Sequence, residues 1–187
     1  MATTRVDQAQ HREHAPAGWL AFFQARPDLG VVAFGYGTLV AVNRLRRHAR
    51  EMHGPHAVAA PSQAELDYAV RDLVAEVREL GHLTSQPRED IDMFTREAER
   101  LLRAAVAERC SWDSLAAGCR RFTTLFAADF ADVVDELYAA ASDPFEDGGD
   151  ATDAARNVCQ AAWAALAEAG YPTAPAQAPG RVATVCC

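Results

Sequence analysis

Residues 62–81, SQAELDYAVRDLVAEVRELG, decide the fold class of this chain of 187 residues. Apolar side chains recur here at spacings of four, three, four and three residues, which place them on one face of an α-helix. They are Leu66, Val70, Leu73, Val77 and Leu80. Ser62 and Glu65 have the spacing of a capping box, in which the two residues satisfy free amides at a helix start. Gly81 is expected to end the helix. A helix of this kind buries its apolar face against neighbours, so the stretch predicts a helical bundle.

Two further amphipathic segments follow, and only short connectors separate them. Pro87 and Glu89 are expected to begin a helix over 87–109, and Ser111 and Asp113 a helix over 112–142. The first has the apolar positions Ile91, Phe94, Ala98, Leu101 and Ala105, widened by Leu102 and Val106. The second has Leu115, Cys119, Phe122, Phe126, Phe130, Val133 and Leu137. Because short connectors make consecutive helices antiparallel neighbours, we expect an all-α, up-and-down helical bundle of about five to six helices.

Residues 29–43 leave a choice between a buried helix and a buried hairpin, since they are apolar on every side. The β-branched and aromatic residues favour a hairpin turning at 35–37. A helix is favoured because 44–52 continues the pattern until Gly54-Pro55 ends it, with Asp28 as the expected cap. In that helix Ala33, Gly37 and Ala41 would share a face and admit a neighbouring backbone closely.

The ends of the chain differ in composition from its middle. Residues 1–12 are expected to be a flexible polar arm, 13–171 the helical bundle domain, and 172–187 a flexible, disordered Pro/Ala-rich tail ending in Cys-Cys. A short apolar helix that contains Trp19, Leu20, Phe22 and Phe23 is expected to stop at Pro27. Asp150 is expected to cap a last helix ended by residues 170–172. No signal-peptide core or transmembrane segment is expected, so we predict a cytoplasmic protein.

Charge is unevenly distributed along the chain. The net charge is −8, and all 18 basic residues are arginine, a composition that suggests a bacterial source with a GC-rich genome. Residues 1–60 carry a charge of +3, residues 61–128 a charge of −3, and residues 129–187 a charge of −8. An acidic chain is not expected to bind nucleic acid. The basic front and acidic back could face each other, or face different partners.

The five cysteines divide into three helical positions and a terminal pair. An odd number argues against a disulfide framework, so Cys110, Cys119 and Cys159 are expected to be small buried hydrophobic residues. Cys186 and Cys187 follow a spacer expected to be unpacked, and are the candidates for thiol chemistry or covalent modification. Soft-metal or thiol transfer, as in the terminal cysteine pair of mercuric reductases, lipidation, and modification by a tailoring enzyme are three interpretations, and a neutral tail is the fourth.

Histidines and arginines cluster near the end of the helix predicted over 29–52. His48, His53 and His56 could hold a metal ion with Glu51, but a solvated helix end explains them better, because their spacing fits no metal motif. A second cluster could bind an anion or an acidic partner, although pairing with the protein's own acids is favoured. It consists of Arg44, Arg46, Arg47 and Arg50.

Acidic residues recur on the helix predicted over 112–142, at Asp129, Asp132, Asp135 and Glu136. Paired carboxylates can bind a divalent ion, but a polar helix face is the favoured interpretation. No phosphate loop or nucleophile elbow is found, and no cofactor is expected.

The leading functional interpretation is therefore a non-enzymatic helical adaptor that docks on a larger partner protein. A carrier or precursor that uses Cys186 and Cys187 is the first alternative. A metal- or redox-dependent enzyme that uses His48, His53 or Asp132 is the second. The sequence leaves the partner and the oligomeric state open, including association of identical copies.

Overall fold

Five α-helices make up most of the residues that the structure, a computed structural model, describes, which are 26–54, 60–142 and 150–172. They are α1 (Pro27–His53), α2 (Gln63–Leu83), α3 (Arg88–Glu108), α4 (Trp112–Ala141) and α5 (Asp150–Ala169). The expected all-α bundle is confirmed, and no strand occurs in these ranges. Residues 29–43 lie inside α1, so the hairpin alternative is wrong. The expected arm, the first short helix and almost all of the tail lie outside the described residues.

The helices enclose two hydrophobic cores that share α1 and α4. In the first core, α1 to α4 surround a cluster that includes Val42, Leu66 and Leu102. In the second core, α5 packs on α1 and α4 around Leu29 and Leu166. Rings on α1, α3 and α4 connect the two cores, with centroids 5.4 Å apart for Phe34–Phe94, 5.8 Å for Phe94–Phe126 and 6.4 Å for Phe126–Phe130. In the described part of the chain, no helix combines the length and the apolar character needed to cross a bilayer.

Two helix starts have the caps that the sequence predicted. The Ser62 hydroxyl accepts a hydrogen bond from the Glu65 amide at 3.2 Å, and the Glu65 carboxylate accepts one from the Ser62 amide at 2.7 Å. At the start of α4, the Ser111 hydroxyl accepts a hydrogen bond from the Ser114 amide at 3.2 Å. Asp28, in contrast, is not the cap of α1. It lies in the first turn, and its carboxylate pairs with Arg26 at 2.7 Å.

Gly81 does not end α2, which continues to Leu83. The side chain of Ile91 on α3 packs against this glycine, and a Cβ atom at residue 81 would lie 2.4 Å from Ile91 Cγ1. Thr84 ends the helix instead, and its hydroxyl donates to the Leu80 carbonyl at 2.8 Å. The glycine therefore permits close contact between α2 and α3 and does not terminate a helix.

The buried face of α4 is turned slightly from the predicted one. Val133 was expected in the core but is 37% exposed, and Val134 is fully buried in its place. On α3, Leu102 is fully buried, whereas Leu101 is half-buried. Because α4 packs against α1, α3 and α5 together, the position of those three neighbours decides which of its residues are covered.

Gly35 of α1 packs tightly against Phe130 of α4, and this glycine does not belong to the expected face of Ala33, Gly37 and Ala41. A Cβ atom at residue 35 would lie 2.2 Å from Phe130 Cε2, a distance that real contacts do not reach. Gly37 faces only the end of the flexible Leu80 side chain, where a Cβ atom would lie 3.0 Å from Leu80 Cδ1. The ring of Phe130 thus occupies the space that the missing side chain of Gly35 leaves.

Gly35→Ala is expected to destabilise the protein although alanine favours helix. The gain in helix propensity is about 1 kcal/mol, and overpacking against a buried ring costs about 1–3 kcal/mol. Urea unfolding should therefore give a lower free energy of unfolding for Gly35→Ala than for Gly37→Ala, the control. In a Phe130→Leu background the cost of Gly35→Ala should shrink. Equal effects of the two alanines would show that Phe130 does not restrict residue 35.

Candidate functional site

An open groove of about 680 Å³ lies between the second half of α1 and the first half of α2. Its most buried lining residues are Ala41, Leu73 and Trp112, which form the floor. Trp112 is the first residue of α4 and is 7% exposed. The remaining lining residues are Arg44, Leu45, His48, Met52, Ala64, Glu65, Tyr68, Ala69, Asp72 and Glu76. The groove is thus a concave surface whose floor belongs to the first core.

Small side chains leave this space open. Ala41 on α1 and Ala64 and Ala69 on α2 line the groove at positions where a larger side chain would occupy part of it. The cap at Ser111 begins α4 directly before Trp112, and this start places the indole ring beneath α1. The imidazole of His48 packs edge-on against the indole, with centroids 5.4 Å apart and planes at 80°.

Two large apolar side chains at the groove are exposed to solvent. Tyr68 is 63% exposed and Met52 is 43% exposed, although each lines the same concave surface. Aromatic and methionine side chains are enriched in protein interfaces, and Met adapts its shape to different partners. The groove therefore combines a buried aromatic floor with adaptable apolar groups at its mouth.

Carboxylates lie along the α2 side of the groove. Glu76 pairs with Arg44 of α1, so an ion pair joins the two walls at one end. The hydrogen bond from the Ser62 amide, followed by that from the Ser62 hydroxyl, lowers the pKa of Glu65, which keeps its charge. Asp72 is exposed and has no ion pair among the described residues. Glu65 and Asp72 thus leave the α2 wall negatively charged.

The predicted arginine cluster is largely engaged within the protein. Arg44 pairs with Glu76, and Arg47 pairs with Glu168 at 2.7 Å. Arg46 is only 9% exposed, and burial, followed by repulsion from other arginines, lowers its pKa. Arg50 is exposed. Hence the four side chains do not form one open anion site, and only Arg44 lines the groove.

Arg46 binds the C-terminal end of α5. Its Nη2 donates to the Glu168 carbonyl at 2.7 Å, and its Nη1 donates to the Ala169 carbonyl at 3.3 Å. Gly170, with φ of +90°, turns the chain so that the Tyr171 amide reaches the Leu166 carbonyl at 3.0 Å. The Gly170 amide donates to the Ala167 carbonyl, also at 3.0 Å. All four carbonyls that a helix end leaves without a partner are therefore satisfied.

The histidines do not come together with other ligands. His48 packs on Trp112, His53 is exposed at the end of α1, and His56 lies outside the described residues. Within the described ranges, no group of three or more histidine, cysteine or acidic side chains could hold a metal ion. That search includes the acidic positions of α4, of which Asp135 accepts a hydrogen bond from Trp163 Nε1 at 2.9 Å. Those of these residues that the structure describes lie at the surface, and metal binding by them stays a hypothesis.

Of the three cysteines expected at helical positions, two are buried as predicted and one is not. Burial raises the pKa of Cys119 to about 12 and that of Cys159 to about 11. Cys110 is exposed, so the prediction that it is buried is wrong. The reason is that α3 ends at Glu108, and Cys110 falls in the connector, where its Sγ lies 3.7 Å from the Pro61 carbonyl oxygen. Cys186 and Cys187 lie outside the described residues.

Sequence reasoning singled out Arg44 and His48 of the groove but missed Met52, Tyr68 and Trp112, although one signal was present. Tyr68 lies between Leu66 and Val70 but off their common face, so it is an aromatic residue on the polar side of α2. No such sequence signal marks Trp112, because its position in the groove depends on tertiary packing.

The chain matches no family model, no curated protein and no solved structure. The geometry of the described residues is therefore the basis for the candidate site.

Arg46→Met is expected to lower the free energy of unfolding by about 1–3 kcal/mol, because two carbonyls at the end of α5 lose their donor. Arg47→Met is the matched control, since it removes only an exposed ion pair worth about 0–1 kcal/mol. Arg46→Lys should be intermediate, because an ammonium group lacks the fork that reaches both carbonyls. Urea unfolding of the three variants gives the comparison, and equal costs at 46 and 47 would contradict it.

Thiol labelling should distinguish the described cysteines in a Cys186→Ser/Cys187→Ser variant. At about pH 8, one thiol is expected to react quickly with iodoacetamide and two only after unfolding, since the thiolate is the nucleophile and burial disfavours it. Peptide mass mapping should identify the fast residue as Cys110. Fast labelling of Cys119 or Cys159 in the folded protein would contradict their placement in the core.

Proposed function

We propose that this protein is a non-enzymatic adaptor that binds a segment of a partner protein in the groove between α1 and α2. One observation carries the proposal: Tyr68 and Met52 are exposed at the mouth of a concave surface whose floor includes Trp112. Exposed apolar groups that rim a preformed concavity are typical of interaction sites. The proposed occupant is an apolar segment with basic residues, which suits the negative charge left on the α2 wall.

The chemistry of the groove supports binding more than catalysis. His48, the only histidine among its lining residues, packs against Trp112 and has no hydrogen bond to a carboxylate or a nucleophile among the described residues. Glu65 is used in the capping box, and Glu76 is paired with Arg44. A general base needs a nucleophile or substrate within hydrogen-bond reach, and these groups are engaged in holding helices. The described residues offer no observation that favours the carrier hypothesis.

Blocking the groove should abolish partner binding without unfolding the protein. Ala64→Trp places an indole at an exposed lining position, whereas Ala104→Trp makes the same change at an exposed position of α3 away from the groove. The immobilised full chain and both variants are incubated with a lysate of the cells that produce the protein. Retained proteins are quantified by mass spectrometry, and the main one is then purified and titrated directly.

A specific partner should bind the native chain and Ala104→Trp equally, and Ala64→Trp about tenfold or more weakly, because an aromatic side chain buries roughly 150–250 Å². The comparison requires that both variants unfold at the same midpoint temperature as the native chain. Partner binding that persists in Ala64→Trp would place the interface elsewhere. Failure of all three proteins to retain any partner would contradict the adaptor role.

A further inference from the structure

We infer that the occupant of the groove is a three-turn amphipathic helix with arginine or lysine along the side that faces α2. The inference rests on the proposed function and deepens it, because it specifies the chemistry and conformation of the partner segment. Its supports are the shape of the groove, the length of its walls and the charges on the α2 side.

Both walls of the groove are helices, and this favours a helical occupant. An extended peptide whose backbone is buried in the groove needs partners for its amides and carbonyls, and a sheet edge supplies them in a regular ladder whereas a helix surface does not. The described residues contain no strand to which such a peptide could add. A helix satisfies its own backbone and presents only side chains, so it can lie in the groove as a further member of the bundle.

The length of the walls sets the length of the occupant. The lining residues extend from Ala41 to Met52 on α1 and from Ala64 to Glu76 on α2. At a rise of about 1.5 Å per residue, these walls are roughly 16–18 Å long, which corresponds to about 11–12 residues of a third helix. Apolar side chains at i, i+3 or i+4, and i+7 would then reach the floor near Leu73 and Trp112.

Charge determines which helices fit. Of the charged lining residues, Glu76 is balanced by Arg44, whereas the carboxylates of Glu65 and Asp72 have no cationic partner among the described residues. Arginine or lysine on the facing side of the occupant would meet these two carboxylates. A second copy of the chain is a poorer occupant, because each copy carries a net charge of −8 and the two would repel each other.

The test uses the full chain and three fluorescently labelled peptides of about 16 residues, long enough for partial helicity. The first has leucines at i, i+3, i+7 and i+10 with arginines beside them, and the second has glutamate in place of every arginine. The third has the composition of the first in an order without an apolar face. Fluorescence anisotropy gives each dissociation constant, and shifts of the Trp112 indole signal in NMR spectra locate the binding.

The basic amphipathic peptide should bind at least about tenfold more tightly than the other two, and more weakly as salt rises. Glu65→Gln/Asp72→Asn should weaken it by roughly three- to tenfold, as expected for two exposed ion pairs. Glutamine at residue 65 preserves the capping box, so the helix start is retained. The matched control, Glu79→Gln/Glu136→Gln, removes two carboxylates that do not line the groove and should leave affinity unchanged.

Several outcomes would overturn the inference. Equal affinity for the basic and acidic peptides would remove the role of charge, and undiminished binding to Ala64→Trp would place the peptide outside the groove. A Trp19→Ser/Phe22→Ser/Phe23→Ser variant that binds the peptide much more tightly than the native chain would identify residues 19–23 as the occupant. Concentration-dependent dimerisation lost in Ala64→Trp would identify a second copy.

The peptide test and the lysate test fail independently. A partner that binds the native chain and not Ala64→Trp, together with no preference for the basic peptide, would leave the adaptor role intact and reject the basic helix. Binding of the basic peptide in the groove without any partner from the cells would support the chemistry of the site and contradict the adaptor role.

Discussion

The contact between Gly35 of α1 and Phe130 of α4 is the constraint on which both cores depend. These two helices take part in the four-helix core and in the core around α5, so their separation sets the dimensions of each. A side chain at residue 35 would meet the Phe130 ring at 2.2 Å, so either the ring or the helices that carry the two residues would have to shift. Interiors packed as densely as crystals transmit such a displacement to every layer that rests on the pair.

Arg46 of α1 then attaches α5 to the pair of helices α1 and α4. It does so by hydrogen bonds to backbone carbonyls and not by an ion pair with a carboxylate. A buried cation is costly unless its donors are matched, and here the matching groups are the free carbonyls at the negative end of a helix. Asn43 lies one turn earlier on α1 and adds a bond from its Nδ2 to the Ala165 carbonyl at 3.1 Å. The second core is rich in alanine, so its apolar groups are small, and these polar bonds define where α5 sits along α1.

The features that the sequence predicts well depend on residues close together in the chain. The features that it misses depend on contacts between helices that are distant in the sequence. The capping box at Ser62 and Glu65 involves only neighbours in the chain, so spacing alone is enough to find it. Gly81 has the same local signature as a terminator, but its role is decided by Ile91 of the next helix. Cys110 was expected at a helical position because helical patterns flank it, yet α3 ends at Glu108, before it. The groove brings Trp112 beside residues of α1 and α2, and no pattern within one segment contains that juxtaposition.

Alanine has opposite effects in the two halves of the molecule. Between α4 and α5, alanines such as Ala131 and Ala162 are buried and let the helices pack closely. Between α1 and α2, Ala64 and Ala69 leave space that no side chain of the described residues fills.

Because the floor of that space is formed by residues of the first core, a bound segment would extend this core. A ligand that binds only the folded state, at one site, raises its free energy of unfolding by RT ln(1 + [L]/Kd). A segment bound in the groove would therefore stabilise the four-helix core, whereas α5 and its contacts with Arg46 lie outside the groove.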